Sequence, residues 1–459
     1  MQLQTILLLS GGWTQALQLL AALSVLILLH EFGHFFFARL FGTRVEKFYL
    51  FFDFMFPFSG LLNFSLFKKK IGDTEYGLGY FPLGGYVKIS GMVDESMDKD
   101  QMNQPPQPWE YRSKKAYQRL FIMLGGIIMN IIVALVIYIG IFTANGESYL
   151  PMSEMKYGIT VDSIAYNIGL RDGDKILSLD SKPVKNLKEF QLSILLRGKK
   201  NILIEREGQQ QTITIPDGTI RKVLKAKGAF VDLRCPVVVD SVADNSLASK
   251  MHLQRGDKIL SLNNEPANYM HLFGLAKKNQ SGKDIELTFL RNDKDTQKAN
   301  GFLAKDSAVG FMMTMPDKLL NFQHYNYSFA GAFTRGFSYT WEQFEFYWLQ
   351  FKLLFTSKEV KASESLGGIV SFGKMFPEEF SWLKFLNLVA FVSIILAFMN
   401  LLPIPGLDGG YVIFLLFESF TGKKVSDKFM EYATTAGLVL LLALMVYANG
   451  LDIFRLFKH

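Results

Sequence analysis

Residues 16–37 form an apolar run long enough to cross a bilayer as one helix, and His30-Glu31-Phe32-Gly33-His34 lies inside it. Ionisable groups at hydrocarbon depth are costly, so such a cluster demands a compensating partner, a metal ion or a wet cavity. Residues four apart share one face of a helix, which lets His30 and His34 each offer an imidazole nitrogen to the same zinc ion. The glutamate between them is placed to activate zinc-associated water, and the spacing predicts a metalloprotease. A chance match is rarer within an apolar span than elsewhere, and a histidine pair in a soluble core fits these surroundings worse still.

Hydrophobic residues make up 49% of the 459. The charges cluster outside a few apolar stretches, which indicates a polytopic α-helical membrane protein carrying soluble parts. The net charge of +7 is unevenly spread and speaks to topology and anionic lipid. No nucleic-acid-binding motif occurs, so no nucleic-acid partner is expected. Cys235 is the single cysteine, which excludes an intramolecular disulfide and a cysteine-rich zinc ribbon. The N-terminus has no basic stretch and no small-residue cleavage signature follows the first apolar segment, so that segment is expected to be retained as a span.

Four spans are expected, at about residues 16–38, 120–142, 384–404 and 432–449. Residues 1–15 carry no Lys or Arg, whereas 39–119 carry many, including Arg39, Arg44, Lys68, Lys69, Lys70, Lys114 and Lys115. The positive-inside rule puts the latter segment in the cytoplasm and the N-terminus outside. The region 143–383 is then outside, 405–431 with Lys423, Lys424 and Lys428 is cytoplasmic, and His30 to His34 occupy the cytoplasmic half of the first span. Residues 48–67 are apolar but interrupted by Asp53, Pro57, Gly60 and Asn63, which predicts an irregular, partly membrane-embedded loop. Residues 76–90, with Pro82-Leu83-Gly84-Gly85-Tyr86-Val87-Lys88, read as strands around a tight turn, and 94–108 read as an exposed linker.

Gly-Asp-Lys-Ile-Leu-Ser-Leu occurs identically at 173–179 and 256–262, an offset of 83 residues that suits a small repeated domain. Each copy follows a helix-like stretch ending at Leu170 or Leu253, and each precedes another helix-like segment, at about 187–197 or 269–279. The copies resemble PDZ domains in a permuted arrangement, which implies strand-adding peptide grooves or steric filters. Between them and the third span, residues 327–356 interleave aromatics with Arg335, Glu342, Glu345 and Lys352, which predicts interfacial helices. The expected order is therefore 1–142 with two spans, 143–225 and 226–316 as PDZ-like domains, 317–383 as interfacial helices, and 384–459 with two spans.

A catalytic zinc normally takes a third protein ligand beside an open position. Asp408 is the best candidate, within Asn400-Leu401-Leu402-Pro403-Ile404-Pro405-Gly406-Leu407-Asp408-Gly409-Gly410, where prolines and glycines break helical geometry and can return a carboxylate toward the first span. An aspartate before Gly-Gly also suits a turn or cap, and the residues alone leave both readings open.

Taken together, the His30–His34 motif, the Asn400–Gly410 motif and the tandem repeat make the chain resemble the site-2 protease family of intramembrane zinc metalloproteases. The resemblance covers nearly the whole chain. It implies zinc held by His30, His34 and Asp408, Glu31 as the catalytic glutamate, and Asn400 as a residue that holds substrate backbone. It further implies multi-pass residence in a bacterial inner membrane, PDZ-like domains on the periplasmic side, and cleavage of transmembrane segments of single-span proteins such as a pre-cleaved anti-sigma factor or leftover signal peptides. The turn at Gly84-Gly85-Tyr86 resembles part of a family loop near the site. The chain departs from the family in the second span, which usually reads Gly-Pro near an asparagine but here has Gly125-Gly126 before Asn130, at Gly367-Gly368, where a Gly-Pro is likewise usual, and at Phe51-Phe52-Asp53-Phe54, where a glycine-rich stretch is usual. Those departures touch no expected metal ligand, so chemistry transfers better than substrate choice.

Two rivals belong to other classes. A non-catalytic scaffold binding envelope peptides through its PDZ-like domains has no use for Glu31. A metal transporter calls for more histidine or acidic residues across several spans, and of the chain's six histidines His252, His271, His324 and His459 lie outside the spans.

Overall fold

The computed structural model describes residues 2–53, 64–92, 105–226, 230–305, 307–356, 367–423 and 425–457. Among them, four helices are long and apolar enough to cross a membrane: Gly12–Leu40, Ala116–Asn145, Trp382–Leu401 and Lys428–Arg455. They coincide with the four expected spans. The first is part of α1 (Gln2–Leu40) and the second is α2 (Ala116–Asn145). Neither contains proline, and both are predominantly apolar all round, as a helix surrounded by lipid and other helices must be. The third stops at Leu401, short of the expected 404, because Pro403 imposes extended backbone on Leu402 (φ −62°, ψ 143°).

By its internal contacts the chain divides into two compact units. One contains these four helices. Within it, α1 and α2 meet where Gly33 lies on Gly125, so closely that a Cβ on either would strike the other's backbone. Between the two helices in sequence come β1 (Val45–Phe52), β2 (Ser65–Ile71), β3 (Thr74–Gly79) and β4 (Phe81–Ile89), arranged in one sheet in the order β2-β3-β1-β4.

This sheet corrects two expectations. The loop expected over 48–67 is strand at 48–52 and 65–67, because aromatic and apolar side chains suit a pleated surface better than a solvated loop. The described part keeps two irregularities, a bulge at Phe51, which has φ 65°, and a register shift between Ser65 and Phe67, while 54–63 lie outside the described residues. Residues 76–90 do form strands, but not a hairpin. β1 separates β3 from β4, parallel to the first and antiparallel to the second, and Pro82 to Lys88 lie within β4 instead of at a turn. Pro82 is tolerated because β4 is an edge strand. Of the expected linker, 94–104 lie outside the described residues.

Residues Phe329–Thr356 form one helix, where several had been expected. Its Ala332, Tyr339, Phe344 and Tyr347 pack against Ala134, Tyr138 and Phe142 of α2 and against Ala390 and Ile394 of the third apolar helix. Phe329, Phe333, Phe337, Trp341 and Trp348 stay exposed. The aromatics thus serve packing on one face and exposure on the other.

The second unit, residues 147–325, contains two successive modules of the same strand order. In the first, Lys175–Leu179 lies between Lys182–Pro183 and Asn201–Arg206, with Gln209–Thr214 outermost; in the second, Lys258–Leu262 lies between Glu265–Pro266 and Lys283–Arg291, with Asp295–Leu303 outermost. Helices Leu187–Leu195 and Met270–Asn279 occupy equivalent places and bury Phe190 and Phe273. The first core includes Phe230 and Val231, past the expected boundary at 225.

The repeated Gly-Asp explains itself structurally. Gly173 and Gly256 have φ of 94° and 91°, which glycine adopts without strain. Asp174 accepts two hydrogen bonds from Arg206, at 2.7 Å each, and a third from the Arg171 backbone N–H at 2.8 Å. Asp257 repeats the arrangement with Arg291 (3.0 and 2.8 Å) and the Gln254 N–H (2.8 Å).

Candidate metal centre

Three side chains from two distant stretches converge in the helical unit. His30 and His34 stand one helical turn apart on α1, and Asp408 opens the helix Asp408–Thr421. The chain reaches Asp408 through a break after Leu401, in which short turns (Ile404 N–H to Leu402 O at 2.7 Å, Leu407 N–H to Ile404 O at 3.0 Å) replace helical bonding. Gly406 is at φ 95°, a conformation that side-chain-bearing residues adopt only with strain. The expectation that the Pro-Gly segment returns Asp408 toward the first span is therefore met in geometry.

His30 Nε2 lies 3.3 Å from His34 Nε2, and Asp408 Oδ2 lies 3.4 and 3.3 Å from those two atoms. Tetrahedral zinc, with ligand bonds near 2.0–2.2 Å, holds neighbouring nitrogen and oxygen ligands about 3.3–3.5 Å apart. The triangle therefore has the dimensions of three zinc ligands. Asp408 Oδ2 is also buried and accepts no hydrogen bond, an arrangement that is costly for a carboxylate oxygen unless a cation completes it.

The rings are held from behind. His34 Nδ1 sits 2.8 Å from the Ile122 carbonyl of α2. A carbonyl only accepts, so Nδ1 carries the proton and Nε2 presents a lone pair to the triangle. His30 Nδ1 sits 3.1 Å from the Asn130 carboxamide, also on α2. Gly126 leaves the space the rings need, because a Cβ there would strike both imidazoles.

A cavity of about 160 Å³ opens onto this triangle, lined by Glu31, Asn400, Tyr86 of β4, Tyr411 and both histidines. It is large enough for several water molecules. The structure thus brings every expected site residue to one place: the three candidate ligands as the triangle, with Glu31 and Asn400 on the cavity wall. Tyr86, from the turn expected near the site, is there too. His252, His271 and His324 lie in the other unit, and His459 is outside the described residues.

Sequence reasoning did not assign a role to Asn130. Its signal was present as a lone carboxamide within the second apolar stretch, where an unpaired polar group is expensive. Ser393 was missed as well. Its hydroxyl, fully buried on the third apolar helix, donates to the Asn130 backbone carbonyl at 2.8 Å.

Comparison with known proteins shows the family of the chain. The regulator of sigma E protease from Haemophilus influenzae is 26% identical across 95% of this chain and 97% of its own length. The regulator of sigma-E protease RseP from Salmonella typhimurium is 28% identical, covering 95% and 97%. A Neisseria meningitidis protein provisionally named a zinc metalloprotease is 29% identical, covering 95% and 98%. The model of peptidase family M50 matches residues 18–444, from the first apolar helix into the last. The chain therefore belongs to peptidase family M50, as a zinc metalloprotease of the intramembrane, site-2 protease type.

Proposed function

We propose that this protein hydrolyses peptide bonds within transmembrane segments of single-span membrane proteins, using zinc held by His30, His34 and Asp408. The observation that carries this reading is the 3.3–3.4 Å triangle of Nε2, Nε2 and Oδ2 atoms, with Glu31 and Asn400 on the wall of the adjoining cavity. Zinc, when bound, supplies Lewis-acid polarisation of the scissile carbonyl and acidifies water. Glu31 accepts the proton of the attacking water and returns it to the leaving amine, so no covalent enzyme intermediate is needed. Asn400 hydrogen-bonds substrate backbone. That role matters because a transmembrane helix hides its carbonyls in internal bonds and must unwind locally before a peptide bond can be reached.

The two modules of residues 147–325 act as PDZ-like domains on the periplasmic face of a bacterial inner membrane. Support for this comes from their shared strand order and from the basic segments at 39–119 and 405–431, which favour the cytoplasm. They admit substrates whose outer domains have already been trimmed, as in regulated intramembrane proteolysis of a pre-cleaved anti-sigma factor, or take up free peptide ends. Leftover signal peptides are substrates of the same geometry.

The test is cleavage of a single-span substrate reconstituted with purified wild type or Glu31→Gln, with cut sites read by mass spectrometry. The wild type is expected to cut within the membrane segment, and the variant to lose about 10²–10⁴-fold in rate while keeping its zinc. Equal rates would assign the cut to another site or protein.

A further inference from the structure

Asn130 is fully buried, and of its two side-chain polar atoms Nδ2 lies 3.1 Å from His30 Nδ1 while Oδ1 meets no hydrogen-bond partner. Its backbone is fixed by α2 itself, in the middle of which it lies, and its carbonyl also accepts a bond from Ser393. The side chain is therefore aimed at one atom of one ligand.

The two histidines are held in different ways. His34 Nδ1 faces a carbonyl, which cannot donate, so its tautomer is decided. His30 Nδ1 faces a carboxamide, which can do either. With Nδ2 toward the ring, Nδ1 must accept, the proton sits on Nε2, and Nε2 cannot bind a metal. After a half-turn about the terminal torsion, Oδ1 accepts from Nδ1–H and the Nε2 lone pair faces Asp408. A carboxamide has nearly the same shape in both orientations, and its terminal torsion is broad and close to two-fold, so the half-turn costs little in packing.

We propose that Asn130 is a positioning residue that selects the tautomer of His30: its Oδ1 holds the proton on Nδ1 and so makes Nε2 a zinc ligand. This inference rests on the ligand set of the proposed function and goes beyond it. No group other than Asn130 is hydrogen-bonded to His30 Nδ1 among the described residues, so the carboxamide alone is placed to make the choice there.

The test is the zinc affinity of the full-length protein in detergent, measured by competition with a chromophoric chelator. Asn130→Leu keeps the volume and removes the acceptor, and it is expected to weaken zinc binding by about 10–100-fold, the usual effect of losing an outer partner of a metal-bound histidine. Asn130→Asp presents only acceptors at the same place and is expected to restore affinity to the wild-type level or above. The d–d absorption of the Co²⁺-loaded protein is expected to change with Leu and to return with Asp. Ser393→Ala removes the bond to the Asn130 backbone and leaves the side chain in place, so it is expected to bind zinc as wild type does.

Wild-type affinity in Asn130→Leu would overturn the proposal. So would an Asp variant as weak as the Leu variant, or a Ser393→Ala variant as weak as either. If Asn130→Leu does not fold, Asn130→Ala against Asn130→Asp makes the same comparison. His34→Ala separates the ligand set from the tautomer role: zinc retained there means the ligand set is wrong, whereas zinc lost there and kept in Asn130→Leu means only the tautomer role is wrong.

Discussion

Asp174 and Asp257 in the repeated modules and Asp408 in the helical unit are all aspartates with buried oxygens, yet their surroundings are opposite. Asp174 and Asp257 have both oxygens occupied by an arginine and a backbone N–H, and Arg206 and Arg291 reach on to the carbonyls of Gly169 and His252. Each closes a turn and ends there. Asp408 has an oxygen with no hydrogen donor, aimed at two imidazole nitrogens, one of which His34 is obliged to present as a lone pair. A satisfied buried carboxylate holds a fold together, while an unsatisfied one among lone pairs marks a place for a cation. The difference cannot be seen from residue type, because Gly-Asp-Lys and Leu-Asp-Gly look alike as turn signals.

The contrast predicts opposite consequences for the same substitution. Asp408→Ala is expected to weaken zinc binding by more than about 100-fold, beyond what loss of an outer partner does, and to abolish cleavage while hydrogen exchange in the repeated modules stays as in wild type. Retained zinc, read by elemental analysis, would break the comparison. Asp257→Ala is expected to do the reverse: zinc stays, and the second module loses about 3 kcal/mol of stability, seen as faster hydrogen exchange in strands Lys258–Leu262 and Lys283–Arg291. Unchanged exchange there would mean that the Arg291 pair contributes nothing net.

The smallest effect concerns Cys235, at the junction of the modules. Burial pushes its thiol up to about 11, and its side chain is almost fully enclosed. Less thiolate at neutral pH means slow alkylation, expected to be about 100-fold slower than for a free cysteine at pH 8 and to rise about tenfold per pH unit. Because the folded pKa is raised, the thiol's contribution to stability is complete below its ordinary value and falls away as pH climbs toward 11. Rapid labelling of the native protein would show that the junction between the two modules opens readily.

The site was legible to different depths for different residues. His30, Glu31 and His34 are neighbours on one helix, and i, i+4 spacing carries its own geometry. Asn400 and Asp408 were legible as a helix-breaking segment, but their arrival at α1 depends on packing across the helical unit. Tyr86 could be placed near the site only by resemblance, since β4 reaches it through a sheet whose order, with β1 between β3 and β4, does not follow the order of the strands in sequence. The irregular loop expected over 48–67 is strand at its described flanks, 48–52 and 65–67, for a related reason. Polar interruptions such as Asp53 look like loop signals, yet Tyr86 donates to Asp53 at 2.9 Å and so makes it acceptable beside a strand.

By itself the sequence determined what depends on short range or on repetition: four apolar helices, a two-histidine face with a glutamate beside it, and two copies of one module. The tertiary structure decided what depends on convergence. Gly33 on Gly125 set the approach of α1 to α2, and that approach delivered Ile122 and Asn130 to the backs of the histidines. The break at residues 402–407 then delivered Asp408 to their fronts. The physical reason is range. Helix periodicity is enforced by bonds four residues apart, whereas a ligand's third partner and its tautomer are set by atoms that meet only when distant helices pack.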